Sequence, residues 1–333
     1  MQEKISRKAL IIIKITDMKT FQEVPDIKRL IIYLPFLQEG LEYAKKKNLK
    51  EIYITTQIET NESCLNSDVI LDINLITHYK FIESIIISDL WGIFKDNICL
   101  NQLSKLHNLK KIEINVDSIF TIDFSLFKKL THIKYYDSKL ILGLQSLNSL
   151  TSAVIYNLKS TDLNELNKNK NLKYLTLWDC KNQNINGLSE LKCLEEIEIV
   201  RSKKLTNING LKNSRELKKL GIYQCPQLED ISIISYLKEL KELHLKKNKL
   251  ITNLNQIIPN NIEFLSVDKI ENLYFISKMN SLRLINFENV TNNDLSPLYS
   301  NSSLEGASFI NKKNYNYTRK EIELFFTNKK ATQ

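Results

Sequence analysis

The sequence contains few glycines, histidines and cysteines, and their distribution excludes several kinds of chemistry. Its 7 glycines in 333 residues never lie close enough together to form a dinucleotide-binding or phosphate-binding loop. The 4 histidines are dispersed and include no H-E-x-x-H motif of a zinc protease. The 5 cysteines are an odd number without a C-x-x-C pair, which favours reduced thiols over a disulfide framework or a structural zinc site. We therefore predict no metal, no cofactor and no catalytic residue, and a cytoplasmic location.

Long apolar runs are also missing. The longest is LIIYLPFL at residues 30–37, far below the roughly 20 residues that a membrane-spanning helix needs. A short run, ALIII, follows several basic residues at the N-terminus, but Lys14 ends it and no small-residue cleavage site follows. We expect this run to be a strand rather than a secretion signal, and we expect no membrane segment.

What the sequence does contain is a spacing that returns about every 22 residues. The stretches NLKYLTLWDC, CLEEIEIVRS and ELKKLGIYQC, which begin at Asn171, Cys193 and Glu216, each place apolar residues at the first, fourth and sixth positions of L-x-x-L-x-L. The same pattern predicts fourteen strands. Their paired apolar residues are Leu10/Ile12, Leu30/Ile32, Ile52/Ile54, Ile85/Ile87, Ile112/Ile114, Ile133/Tyr135, Ala153/Ile155, Leu175/Leu177, Ile197/Ile199, Leu220/Ile222, Leu243/Leu245, Leu265/Val267, Ile285/Phe287 and Ala307/Phe309.

Between these strands, apolar residues recur at every third position, as in Ile231, Ile234, Leu237 and Leu240. A period of three is typical of short 3₁₀ turns rather than of long α-helices. Because one strand and its return cannot bury their own apolar edge, stacked copies build a continuous core. The pattern predicts a solenoid with parallel strands on one side and short helical returns on the other.

The pattern resembles the leucine-rich repeat family, and in particular its bacterial internalin-like type with repeats of about 22 residues. In that type, Asn or Cys at the ninth position bonds the turn backbone, and this sequence has Cys180, Cys225 and Asn248 there. The resemblance implies an α/β fold, a curved right-handed horseshoe with a parallel sheet on its concave face. We expect irregular repeats and a cap at 1–108, regular repeats at 109–311 and a C-terminal capping helix at 312–333, in one continuous solenoid.

Other segments predict the ends and an insertion. Thr318 and Glu321 form a capping-box pattern before Ile322, Phe325 and Phe326, so a helix should seal the last repeat. Pro35 stands at the start of PFLQEGLEYAKKK, which predicts an α-helix. The polar insertion QIETNESCLNSD, which contains Cys64, predicts a loop.

Alternation along each strand predicts which side chains are exposed on the concave face. The seventh positions give an aromatic stripe of Tyr136, Tyr156, Trp178, Val200 and Tyr223. The eighth positions give Asp137, Asn157, Asp179, Arg201 and Gln224, and the third and fifth positions add Tyr174 and Glu198. Tyr, Trp and Arg among polar neighbours are the composition of an interface hot spot. Stacking between adjacent strands, without any ligand, is the alternative explanation of the stripe. His132 and His244 are predicted to be ordinary surface residues.

The charge pattern decides which class of partner to expect. A formal net charge of +9 could indicate nucleic acid, but lysine is mixed with glutamate on the predicted concave face. Glu195, Glu196 and Glu198 lie where a phosphate backbone would require continuous positive charge. A mixture of signs favours a protein partner and disfavours nucleic acid.

Three functions fit these observations, and none of them is enzymatic. The first is a protein-binding scaffold that grips a partner with its concave face, in its most specific form an immunity protein that neutralises a cognate toxin, by analogy with freestanding repeat proteins of that kind. The second is a bacterial effector that uses the repeats to select a host protein. The third is a structural assembly module.

Overall fold

A computed structural model describes residues 21–24, 28–56, 70–89, 98–116, 120–137, 140–158, 163–248 and 261–331, with the backbone alone given for 21–24. The predicted strand at Leu10/Ile12 and the predicted insertion around Cys64 lie outside the described residues. The chain divides into two compact units, residues 1–155 and 156–333. We refer to them as unit 1 and unit 2.

Unit 1 contains a sheet of parallel strands with one antiparallel strand at its edge. Its strands follow one another in the order β1 (Phe21–Val24), β2 (Arg29–Tyr33), β3 (Glu51–Thr55), β4 (Ser84–Asp89), β6 (Lys111–Val116), β8 (His132–Tyr136) and β10 (Ser152–Tyr156). The last residue of β10, Tyr156, is the first residue of unit 2. β1 pairs with β2 in the antiparallel direction. A second, three-stranded sheet is formed by β5 (Ile98–Cys99), β7 (Phe120–Asp123) and β9 (Ile141–Leu142).

Unit 2 continues the repeat with parallel strands in chain order. They are β11 (Tyr174–Trp178), β12 (Glu196–Val200), β13 (Lys219–Tyr223), β14 (Glu242–Lys246), β15 (Phe264–Val267), β17 (Leu284–Asn286) and β19 (Gly306–Ser308). β16 (Lys269–Ile270) and β18 (Asn289–Val290) form a separate pair. The register joins equivalent positions of successive repeats, so that Leu175 pairs with Ile197 and Ile197 with Leu220. Repeat spacing and strand register therefore agree.

The returns between strands are mostly short 3₁₀ helices, as the period of three predicts. They span Leu34–Phe36, Asn101–Lys105, Phe124–Leu126, Leu144–Ser146, Leu166–Lys168, Asn186–Leu188, Asn209–Leu211, Ser232–Tyr236 and Tyr274–Lys278. The α-helices of the described residues are α1 (Leu37–Lys47), α2 (Ile73–Thr77), α3 (Pro297–Ser300) and α4 (Arg319–Ala331). The helix predicted after Pro35 is α1, which begins two residues after the proline.

The core consists of the repeated aliphatic positions. In β11 the side chains of Leu175 and Leu177 are buried, while Tyr174, Thr176 and Trp178 between and beside them are not. Fully burying one such aliphatic side chain contributes about 1.5–3 kcal/mol, so the pairs repeated in every strand hold the stack together. In the described residues this architecture is the leucine-rich repeat solenoid that the sequence predicted.

The predicted end cap is also present. Glu321 accepts hydrogen bonds from the backbone N–H of Thr318 at 2.6 Å and from its hydroxyl at 2.8 Å. Thr318 Oγ1 accepts the backbone N–H of Glu321 at 3.3 Å, which completes the capping box. Ile322 and Phe326 of α4 are buried, and α4 packs against β19.

Candidate functional site

The exposed sheet face of unit 2 is the surface formed by Tyr156 and the outward side chains of β11 to β19. Because successive strands pair in register, side chains at equivalent positions form rows across this face. One row is Tyr174, Glu196, Lys219, Glu242, Phe264 and Leu284, and the next is Thr176, Glu198, Gly221, His244, Ser266 and Asn286. Neighbours within a row are about 4.8 Å apart, close enough for side chains on adjacent strands to touch.

An aromatic and ionic group lies at the start of this face. The rings of Tyr156 and Trp178 are stacked, with centroids 5.8 Å apart and planes inclined by 26°. The Arg201 guanidinium lies 5.1 Å from the centroid of the Trp178 ring. Asp179 binds this guanidinium in a bidentate manner, with Oδ1 3.0 Å from Nε and Oδ2 2.5 Å from Nη2. Four of the predicted site residues therefore form one pre-organised group.

The prediction that the seventh positions form one exposed stripe is wrong at Val200, whose buried side chain interrupts the stripe. Val200 is 8% exposed, because it stands in register between the larger side chains of Trp178 and Tyr223. Tyr223 instead belongs to a second ring group, in which its centroid is 6.2 Å from that of His244. The ring of His244 lies 5.0 Å from that of Phe264. The second group therefore runs obliquely across rows. A comparison of residues at one repeat position does not find it, because its three members occupy different positions in successive repeats.

The prediction that His244 is an ordinary surface residue is also wrong. Its side chain is 18% exposed, and burial lowers its pKa below the usual value. His132, at the third position of its repeat in unit 1, is exposed as predicted. His244 is therefore a neutral ring packed between Tyr223 and Phe264 at neutral pH.

The position of the Tyr223 ring depends on Gly221. A Cβ at Gly221 would lie 2.6 Å from Cε2 of Tyr223, so the ring leans over the glycine. Burial, followed by the charges of Glu198 and Glu242, raises the pKa of Tyr223 to about 12. The phenol therefore stays neutral and presents a ring to this part of the face.

A row of left-handed residues follows the strands of unit 2. We call it the αL ridge: its members and φ angles are Asn157 (63°), Asp179 (55°), Arg201 (54°), Gln224 (58°) and Lys247 (56°). This conformation turns each backbone N–H toward the next repeat. The carbonyls of Trp178, Val200, Tyr223 and Lys246 accept those of Asn157, Asp179, Arg201 and Gln224 at 2.7–2.9 Å. The eighth-position residues that the sequence singled out thus have a backbone role that it did not predict.

Much of the predicted charge mosaic is neutralised within the sheet. At the second repeat position, Glu195 accepts Lys173 at 2.8 Å and Lys218 at 3.0 Å, and these hydrogen bonds hold the pKa of Glu195 below its usual value. The adjacent pairs are Lys241 with Glu263 at 3.2 Å and Arg283 with Glu305 at 2.6 Å. These residues form a flanking ladder of exposed ion pairs, each worth little individually.

The remaining predicted site residues lie in different places. Tyr136, 39% exposed, and Asp137 belong to unit 1. Tyr174 is 42% exposed at the edge of the exposed sheet face, beside Glu196 in the pairing register. Glu198 lies in the middle of that face and forms an ion pair with Lys219 at 3.2 Å. Whether these residues contact a partner stays a prediction.

The ninth-position cysteines have the structural role that the resemblance implied. The Cys225 thiol lies 3.5 Å from the carbonyl oxygen of Tyr223, and the Cys180 thiol lies 3.8 Å from that of Trp178. Asn248 fills the equivalent place and donates to the carbonyl of Ile222 at 2.9 Å. Burial raises the pKa of Cys225 to about 11, which makes its thiol unreactive at neutral pH.

Within the described residues, no cluster of three or more His, Cys, Asp or Glu side chains could hold a metal ion. The helices in that part of the chain are too short or too polar to span a bilayer.

The chain is similar to several solved structures. An internalin (inlF) from Listeria monocytogenes aligns with a TM-score of 0.50 and 16% identity, over 86% of this chain and 88% of that one. An internalin C2 from Listeria monocytogenes gives 0.43 and 18%, over 63% and 83%. A leucine-rich repeat protein from Leptospira interrogans gives 0.39 and 15%, over 72% and 76%. No protein-family model and no curated protein matches the sequence.

The repeat register and the first of these similarities define the class. The chain has the leucine-rich repeat fold of the internalin-like type, with its parallel strands and 3₁₀ returns in the described residues. At 16% identity the similarity shows the fold alone, so the function has to be argued from the side chains of this chain.

Proposed function

We propose that this protein is a non-enzymatic scaffold that binds another protein with the exposed sheet face of unit 2. The observation that carries the proposal is the group in which Tyr156 stacks on Trp178 and Arg201 covers the indole. Both rings are partly exposed although they lie next to a well-packed core. Tyrosine, tryptophan and arginine are the residues that most often dominate binding energy in protein interfaces.

The group is held in place before any partner arrives. Asp179 fixes the Arg201 guanidinium with two hydrogen bonds, and the backbone N–H groups of both residues donate to the adjacent strand. Rigid side chains lose little conformational entropy on binding, where an immobilised flexible side chain costs about 0.5–1.5 kcal/mol. This pre-organisation supports a binding function over stacking that only stabilises the sheet.

In its most specific form, the proposal is that the partner is a toxin and that this protein acts as its immunity protein in the cytoplasm. The support is the analogy with freestanding repeat proteins that neutralise toxins by occlusion. A toxin-like reading frame beside the gene, and protection of cells that express that toxin, would support this form. Export by a dedicated secretion system would contradict it and favour the effector alternative.

The binding face is tested by affinity capture from the native organism. We expect the Tyr156→Ala/Trp178→Ala double variant to lose partners that the wild-type protein retains, by at least about 100-fold in affinity, since hot-spot truncations cost 2 kcal/mol or more each. Tyr236→Ala is the matched control, because Tyr236 is 69% exposed but lies on a 3₁₀ return. Equal retention by wild type and the double variant, with folding confirmed by circular dichroism, would contradict the assignment.

A further inference from the structure

The centre of the exposed sheet face of unit 2 has a charge opposite to that of the whole chain. Glu196, Glu198 and Glu242 surround Lys219 on three neighbouring strands. These four residues, with the rings of Tyr223, His244 and Phe264, are called the acidic aromatic patch. Three carboxylates against one lysine make it net negative in a protein whose formal charge is +9. The patch therefore needs an explanation of its own.

The nearby lysines only partly neutralise the patch. Lys219 lies 3.2 Å from Glu198 and 3.9 Å from Glu196, so one ammonium serves two carboxylates. Lys246, on the adjacent strand, is directed away, because it donates to the carbonyl of Val267 at 2.7 Å and lies 3.5 Å from Asp268. Within the described part of the chain, Glu242 has no lysine or arginine partner within ion-pair distance. Its ionic neighbour is His244 at 3.6 Å, an imidazole whose pKa burial lowers.

The rings around these carboxylates provide the second half of a cation-binding surface. The Tyr223 ring leans over Gly221, which lies in register between Glu198 and His244. His244 in turn contacts Phe264. A lysine or arginine side chain placed over Tyr223 would meet an aromatic face, to which a cation is attracted, and carboxylates on either side.

We propose that the acidic aromatic patch docks a basic segment of the partner protein, with a lysine or arginine side chain bound between Glu198 and Glu242 against the Tyr223 ring. This rests on the proposed function and specifies the chemistry of the partner. Charge complementarity selects a basic occupant, because a phosphate backbone or an acidic peptide would bring further negative charge to Glu242. The aromatic group at Tyr156 and Trp178 then anchors apolar side chains of the same partner.

The test uses two blocked peptides of equal length, acetyl-(Lys-Leu)₃-amide and acetyl-(Glu-Leu)₃-amide, titrated into the full chain. Binding is followed through the ring proton resonances of His244 and Tyr223 in NMR spectra. We expect the lysine peptide to shift these resonances and to bind at least tenfold more tightly than the glutamate peptide. Equal binding of the two peptides, or shifts that leave both rings unaffected, would overturn the proposal.

Two double variants separate local from overall charge. Glu198→Gln/Glu242→Gln should weaken binding of the lysine peptide at least tenfold. Glu190→Gln/Glu305→Gln removes the same charge from ion pairs with Lys170 and Arg283, outside the patch, and should weaken it less than threefold. Equal weakening by the two variants would show a general charge effect and overturn the proposal.

The same variants distinguish failure here from failure of the proposed function. If the captured partner is lost by Tyr156→Ala/Trp178→Ala but retained by Glu198→Gln/Glu242→Gln, the binding face stands and the basic docking segment is wrong. If both variants retain the partner, the binding face itself is wrong. A dimer in sedimentation equilibrium that disappears in the Glu198→Gln/Glu242→Gln variant would identify a second copy as the occupant and overturn the proposal of a partner protein.

Discussion

At the scale of single residues, the αL ridge is the most demanding feature of the exposed sheet face. A left-handed conformation costs an L-residue about 1–2 kcal/mol, and yet five non-glycine residues adopt it in successive repeats. Each of the first four gains a backbone hydrogen bond to the next strand, which offsets part of this cost. The ridge places polar side chains at the margin of the sheet, where glycine would offer none.

Gln224 provides a test of this strain. We expect Gln224→Val to destabilise the protein by about 1–2 kcal/mol, because a β-branched residue is poorly tolerated at a φ of 58°. Gln224→Gly should stay within about 1 kcal/mol of wild type, since relief of strain and the greater freedom of the unfolded chain oppose one another. The measurement is the midpoint of urea unfolding at constant slope. Gln227→Val, at an exposed residue without positive φ, is the control, and equal midpoints for the two valine variants would contradict the expectation.

The candidate site could be predicted only in part from such residues. The sequence placed Tyr156, Trp178, Asp179 and Arg201 on one face because strand alternation and repeat register are both periodic. It failed at Val200 and His244, because their burial depends on the size of neighbouring side chains rather than on their own position. Phe264 was missed for the same reason, since it completes a ring group that crosses from one row to the next.

At the scale of elements, five of the 3₁₀ returns in the described residues share a capping device. In each, an Asp or Asn side-chain oxygen accepts a hydrogen bond from the backbone N–H two residues later. The pairs are Asp123 with Ser125, Asn184 with Asn186, Asn207 with Asn209, Asp230 with Ser232, and Asn272 with Tyr274. Such Asx turns satisfy a donor that a short 3₁₀ helix leaves open. The abundance of Asn in this chain therefore has a structural use that composition alone did not reveal.

Because the returns stack closely, we expect protein stability to be sensitive to any side chain added at Gly210. An added Cβ there would lie 1.9 Å from the carbonyl oxygen of Ile185 in the preceding repeat, and backbone cannot yield as a side chain does. We expect Gly210→Ala to destabilise the protein by about 1–3 kcal/mol, the usual range for overpacking, measured as a loss in urea midpoint. Lys212→Ala, at an exposed residue just beyond the same return, is the control and should change stability by less than about 0.5 kcal/mol. An unchanged midpoint for Gly210→Ala would contradict this close approach.

At the scale of the whole molecule, the repeat makes much of the fold predictable. Every predicted strand position in the described residues lies in a strand or directly after its last residue, because stacking imposes the same register on each repeat. The division after Ile155 was not predicted, since the apolar spacing continues across it without change. The expectation of one continuous solenoid, with boundaries at 108 and 311, stays a prediction.

A stacked array also needs its last repeat covered, and α4 has this role in unit 2. Its buried residues Ile322 and Phe326 lie on one helical face, and Lys329 donates to the carbonyls of Asn301 and Leu304 at 3.2 and 2.7 Å. The last two repeats beneath it contribute the stacked rings of Phe287 and Phe309, whose centroids are 5.2 Å apart. Without the helix, this apolar surface and the edge of the last strand would meet solvent.

We therefore expect Ile322→Ser/Phe326→Ser to make the protein associate in a concentration-dependent manner, because a detached α4 exposes an apolar patch beside an open strand edge. Sedimentation velocity over a hundredfold range of protein concentration measures this effect. Leu324→Ser is the control, since Leu324 is 60% exposed on the other side of the helix and its removal leaves the buried face intact. Only the double variant removes the buried face of α4 that covers the last repeat. Association should therefore appear in the double variant and not in the control. Identical sedimentation of both variants at every concentration would show that the last repeat is stable without its helix.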